Sequence, residues 1–222
     1  MKKLVFGLIA VVLLSTLSFG QTKGMDYFMQ MDPVKTAQIH NDVVSGINEL
    51  IAKDPSLSIK DALLKLDIDL SSEDRLAIYD YISKNYDATQ NYTKVMSELK
   101  SEDAKEIYSN INTAVVNAKD YESLAKSIDV QLSNADKKLN GFDLQVVKLF
   151  GATSEASANY WYNEGSPYAK GGGTPRWIRK DGCGIAQASV GWAIGAAFCG
   201  GGPLSYAIAC GVGGALASVW PD

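Results

Sequence analysis

The sequence predicts an all-α protein: a small helical bundle or short helical stack followed by a Gly/Ala-rich apolar helical hairpin. Three observations predict it. From Asp32 to about Glu164 the apolar residues recur at three- and four-residue spacing, with no alternation long enough to compete as a strand. Serines and acidic residues stand where those periodic runs begin, as helix starts require. Finally, 10 of the 20 glycines and all three cysteines lie between Gly182 and Pro221, a 40-residue stretch with no charged side chain and a chemistry unlike the rest of the chain.

The first twenty residues read as an address. Lys2 and Lys3 precede the apolar run Leu4 to Leu14, which ends in the small-residue stretch Ser15 to Gly20. That order predicts a secretory signal over 1–20 and a mature chain from Gln21. The run is shorter than the ~20 residues a membrane span needs, and no cysteine follows it to carry a lipid anchor. The expected location is therefore exported: secreted, periplasmic or at the cell surface. The mature chain would carry 19 basic and 25 acidic groups, a balance that speaks against nucleic acid as a partner.

The helical domain is expected over 21–164. Val43, Ile47, Leu50 and Ile51 form the first apolar stripe, and Ile59, Ala62, Leu63 and Leu66 the second. Leu76, Tyr79 and Ile82 follow, then Tyr92, Val95, Met96 and Leu99, then Ile107, Tyr108, Ile111 and Val115. Tyr121, Leu124, Ile128 and Leu132 make the next, and after Gly141 come Phe142, Val146, Leu149 and Phe150. These stripes predict helices near 33–52, 58–67, 72–85, 89–99, 102–118, 121–139 and 142–163. Ser72 and Ser101 are the expected N-caps of two of them. Glu73, Asp74, Glu102 and Asp103 place negative charge at the positive end of the helix dipole, and Asp120 is placed to cap a third helix.

Two of these starts share their wording. Leu70 to Ile82 matches Leu99 to Ile111 at seven of thirteen positions, at a spacing of 29. Such a period fits helix-pair repeats that share a core, and it equally fits two capped amphipathic helices that have converged.

The composition changes near the aromatic run Tyr160, Trp161, Tyr162. Residues 165–181 read as a Gly/Pro-rich basic linker, in which Lys170, Arg176, Arg179 and Lys180 surround Trp177 and Ile178. Positive charge interleaved with an indole fits an anionic membrane surface better than a free phosphate. Gly171 to Gly173 lack the following Gly-Lys-Ser/Thr of a nucleotide-binding loop.

The tail, 182–222, holds two apolar segments around the turn Gly200 to Pro203. Gly191 and Gly195 give the first a nearly bare helix face, and Ala207, Gly211 and Ala215 give the second a similar one. Such faces permit close helix packing, within the tail or between copies. Each interior glycine costs a helix about 1 kcal/mol relative to alanine, so something must cover these segments: the helical domain, a bilayer or a partner helix. Of the three cysteines, Cys199 and Cys210 are the most plausible bridge. An ideal hairpin nevertheless places Cys210 about four residues past the point opposite Cys199, beyond the ~7 Å reach of a disulfide unless the turn unwinds.

Little points to catalysis. His40, the single histidine, shares a face with Val43, Val44 and Ile47, as a packed histidine does. The cysteines sit among Gly, Ala and Ile, where a thiolate is disfavoured. There is no Cys-x-x-Cys, Gly-x-Ser-x-Gly or His-Glu-x-x-His. The expectation is a non-enzyme without metal or cofactor.

The pattern at Leu70 to Ile82, Leu-Ser-x-Glu-Asp-x-x-x-Ile-Tyr-x-x-Ile, resembles the helical portion of exported Bacteroidota proteins described as bacteriocin fulvocin C-related. The tail is similar to two-peptide class II bacteriocins in its basic start at Arg176 to Lys180, its uncharged Gly/Ala-rich body and its Gly191-x-x-x-Gly195 spacing. These resemblances imply a secreted bacteriocin-like protein whose tail acts on membranes. The alternative expectation is a periplasmic or surface helical protein whose tail is buried in its own fold.

Overall fold

A computed structural model describes residues 24–85, 88–163, 207–208 and 211–216. Among these the secondary structure is helical, as the periodicity predicts. Helix α1 covers 24–30, α2 Pro33–Lys53, α3 Ile59–Lys65, α4 Ser72–Asn85, α5 Ala88–Glu98, α6 Glu102–Asn117, α7 Tyr121–Lys138 and α8 Gly141–Asn163. The ends of α2 to α8 fall within two residues of the sequence expectation.

Helix α1 was not expected. Its signal is present, since Met25, Phe28 and Met31 recur at three-residue spacing. Phe28 and Met31 are buried, and Gln145 Nε2 donates to Phe28 O at 3.0 Å and to Met31 O at 2.8 Å, tying the end of α1 to α8.

Five helices, α2, α3, α4, α6 and α7, have a short polar side chain over the free N–H groups of their first turn. Asp32 accepts from Val34 N at 2.9 Å and Lys35 N at 3.1 Å, with Pro33 in the first turn, where its missing N–H costs nothing. Ser58 and Asp61 cap α3 reciprocally, the serine Oγ donating to the carboxylate at 2.6 Å and accepting from Asp61 N at 3.1 Å. Asp120 accepts from Ser123 N at 2.8 Å. Ser101 accepts from Ala104 N at 3.2 Å, as expected.

At α4 the expected cap is corrected. Ser71 holds the position, its Oγ accepting from Asp74 N at 3.1 Å and donating to Asp74 Oδ2, while Ser72 is the first residue of the helix. With two adjacent serines, the one three residues before an acid closes the box. Ser71→Ala should therefore lower stability by about 1 kcal/mol, and Ser72→Ala should stay within about 0.5 kcal/mol, as read from denaturant midpoints.

The near-repeat is thus shared in its core and shifted in its caps. Leu70, Ile78 and Ile82 are buried, as are their counterparts Leu99, Ile107 and Ile111. The two copies serve different clusters, and the tyrosines diverge. Tyr108 is fully buried and stacks on Phe150 with centroids 4.1 Å apart, whereas Tyr79 is half-buried with Lys60 Nζ 5.6 Å from its ring centroid.

The core has two lobes. One is built by α1, α5, α6, α7 and the first half of α8, around Phe28, Leu99, Tyr108, Ile128, Val146 and Phe150. The other is built by α2, α3, α4 and the end of α8, around Val43, Ile47, Leu63, Ile82 and Trp161. Helix α8 runs through both and packs most extensively on α2, with α7 along its other side. Asn41 Nδ2 donates to Ala156 O at 2.8 Å, and Asn48 Nδ2 to Tyr160 Oη at 3.3 Å, fixing the α2–α8 register. The aromatic run that marks a change of composition is the last turn of α8, where Tyr160 and Trp161 are buried in the second lobe.

Candidate functional site

Of the tail residues singled out from sequence, Ala207, Gly211 and Ala215 lie among the described residues. Gly191, Gly195, Cys199 and Cys210 lie outside them, as do Lys170, Arg176, Trp177, Arg179 and Lys180. Residues 207–208 and 211–216 are helical. Their side chains leave almost nothing to solvent: Ala207, Ile208, Val212, Ala215 and Leu216 are at most 7% exposed. Ala207 belongs to the first lobe, while Ile208, Val212, Ala215 and Leu216 belong to the second, so this short segment touches both.

Its seat is α2. A Cβ built on Gly211 would lie 2.7 Å from Ile39 Cγ2 and 3.2 Å from both Ile39 Cβ and the backbone nitrogen of His40. The space a side chain would need is filled by another helix, and two of those three atoms cannot swing away. Ile39, which is itself packed against both lobes, was not distinguished in the sequence. A single isoleucine beside an apolar stripe carries no signal of its own, and only the position of Gly211 gives it meaning. The sequence expectation of close packing at Ala207, Gly211 and Ala215 named no partner; for Gly211 that partner is α2.

His40 is 1% exposed, on the face it shares with Val43, Val44 and Ile47. Its Nδ1 lies 3.1 Å from Asn41 Oδ1. Among the described residues no group of His, Cys, Asp and Glu is arranged to hold a metal ion, and no helix is long and apolar enough to cross a membrane.

Two acids on α8, Asp143 and Glu155, depart from the solvent faces. Glu155 on α8 is half-buried, and burial raises its carboxyl above the ordinary range, with the negative charge of Asp129 adding to the effect. Tyr121 Oη, 3.5 Å from Glu155 Oε1, pulls in the opposite direction. A carboxyl raised on folding contributes its stability below the unfolded value, and that stability is lost as pH rises through the folded one. Glu155→Gln should therefore match the parent near pH ~3, where the acid is protonated in both states, and exceed it at pH ~7 in urea midpoint. Equal midpoints at both pH values would remove the assignment.

The fold and this contact define a class: a helical two-lobed domain that covers an uncharged segment of its own C-terminal tail. No protein-family model, curated protein or solved structure matches the chain.

Proposed function

We propose that this is a non-enzymatic, exported helical protein of structural or interaction role whose apolar tail is held in its own core. One observation carries the reading: Val212, Ala215 and Leu216 are fully buried in the lobe of α2, α3 and α4, with Gly211 packed closely against Ile39 and the backbone nitrogen of His40 on α2. A segment apolar on every face is stable in water only when it is covered, and here the chain supplies the cover. Hydrogen exchange tests this directly. Amides 211–216 of the intact protein should be protected to the same order as those of Val146 to Phe150. Exchange at the rate of a free peptide would overturn the reading.

A second reading is favoured by the sequence of the tail, where a basic stretch with Trp177 precedes forty residues without a charge. It is that of a bacteriocin-like protein whose tail acts on membranes once freed. A synthetic 174–222 peptide should then release dye from anionic vesicles at micromolar concentration. Replacing Arg176, Arg179 and Lys180 by Gln should weaken its binding mainly at low salt. A parent peptide that neither binds nor leaks such vesicles would end this second reading and leave the first standing. Mass spectrometry of culture supernatant, searched for a released C-terminal fragment, gives an independent check.

A further inference from the structure

We infer that residues 211–216 are a wedge between α2 and α4, and that the second half of α4 keeps its place on the bundle only while the wedge is seated. This inference deepens the first of the two readings above, in which the tail is held in the protein's own core, and rests on it.

The two glycines of the segment stand two residues apart, which on a helix is a rotation of about 200°, so Gly211 and Gly213 lie on nearly opposite sides. Each side meets a different helix. A Cβ on Gly211 would lie 2.7 Å from Ile39 Cγ2 and 3.2 Å from the backbone nitrogen of His40, both on α2. A Cβ on Gly213 would instead have Cγ2 of Ile78, on α4, at 3.9 Å. Val212, between them, and Ala215 and Leu216, after them, are wholly buried, and they share one apolar cluster with Val43 and Ile47 of α2 and Ile78 and Ile82 of α4. The segment therefore fills the space between the two helices.

Helix α4 needs such cover. Ile78 and Ile82 are 2% and 1% exposed, yet among the helices α4 packs chiefly on α3, which has only seven residues. The start of α4 is fastened to the end of α3 through Arg75, whose guanidinium donates to Leu66 O and Ile68 O. The end of α3 in turn closes on α2 through its own contact, with Leu66 Cδ2 standing 2.6 Å from where a Cβ on Gly46 would be. These ties hold α3 and the first turn of α4. The turn from Ile78 to Ile82 lies beyond them and against the wedge. Two groups that bury one another are coupled in both directions, so loosening 211–216 loosens 78–82, and loosening 78–82 loosens 211–216.

The experiment follows amide hydrogen exchange in the intact chain at four stretches: 211–216, 78–82, and 107–111 and 146–150 of the first lobe. Gly211→Ala sets a methyl group where Ile39 and the α2 backbone stand, and should speed exchange about tenfold at 211–216 and at 78–82 alike, with the first lobe unchanged. Ile78→Ala loosens the contact from the α4 side and should speed the same two stretches. Gly213→Ala should act in the opposite sense. Its methyl group meets Ile78 at ordinary contact distance and alanine favours a helix over glycine, so exchange should slow about threefold at both stretches. Protection kept at 78–82 when 211–216 loses it, or no change at either in Gly211→Ala, overturns the wedge. Where a weakening variant loses protection throughout the chain, Gly213→Ala decides: slowing at 211–216 and 78–82 together upholds the wedge, and slowing at 211–216 alone, equally at all four stretches or nowhere overturns it. Parent amides 211–216 that exchange like a free peptide mark a failure of the proposed function itself, and protected ones uncoupled from α4 a failure of the wedge alone.

Discussion

Replacing Arg75 by methionine is expected to lower the stability of the bundle by about 3 kcal/mol, one of the two largest single-residue effects the structure predicts. Helix α3 has only seven residues, too few to satisfy its own last carbonyls, and the chain from Leu66 to Leu70 that follows has little backbone partnering. Arg75, in the first turns of α4, fills that gap. Its Nε donates to Leu70 O at 2.7 Å, and Nη2 donates to Ile68 O at 3.1 Å. Nη1 lies within reach of Leu66 O at 2.7 Å, Leu64 O at 3.2 Å and Leu63 O at 3.3 Å. One planar fork thus stands in for the missing turn of helix, and its positive charge meets the negative end of the α3 dipole. Methionine keeps the length of the side chain and leaves the carbonyls without it. Lysine keeps the charge but not the fork, so Arg75→Lys should recover less than half of the loss. Urea midpoints of the three proteins check this, and a lysine variant as stable as the parent would show that the fork geometry is unimportant.

The second is Asp143. It is 7% exposed, and its carboxylate accepts from Lys100 N at 2.9 Å, Ser101 N at 2.9 Å and Ser101 Oγ at 2.8 Å. The first turn of α8 thereby holds the start of α6. Asp143→Ala should cost about 3 kcal/mol, because two backbone N–H groups lose their acceptor in a partly buried place. Asp143→Asn keeps the shape but replaces one acceptor by a donor that faces other donors, and should cost about 2 kcal/mol. Ser101→Ala removes one of these bonds together with the N-cap, at about 1 kcal/mol. Asp143→Ala and Ser101→Ala combined should cost less than their sum, since they dismantle one network. Full additivity by denaturation would mean that the three bonds do not act together.

The contrast between Arg75 and the stripe residues shows what a sequence carries. Ile82, Ile107 and Ile111 are legible because helical periodicity puts the buried residues on one face, though in α4 the expected stripe partners Leu76 and Tyr79 are only half-buried and Ile78 is buried instead. The starts at Ser101 and Asp120 are legible because capping is local. Arg75 and Asp143 are not, since their partners lie up to 12 and 43 residues away and the sequence shows only a charged residue near a helix start, where a solvent-facing role is the ordinary one. The serine pair at α4 fails for a finer reason, as a one-residue choice between Ser71 and Ser72 depends on where the chain turns in. At the candidate site, Gly211 and its small neighbours were visible as a face open to close approach, while the seat on Ile39 required the tertiary arrangement.

The α2–α8 register also fixes the order in which the molecule can be completed. Asn41 and Asn48 meet partners 115 and 112 residues further along the chain. The helix made second therefore waits for the helix made eighth, and the entropy of closing so long a loop must be met before the contact returns anything. A chain released from synthesis before Ala156 has every residue of α2 and nothing for Asn41 to grip. Its apolar stripe at Val43, Val44 and Ile47 then has α3 and α4 beside it but lacks the cover of Tyr160 and Trp161, and this leaves part of it open to chaperones, proteases and other unfinished chains.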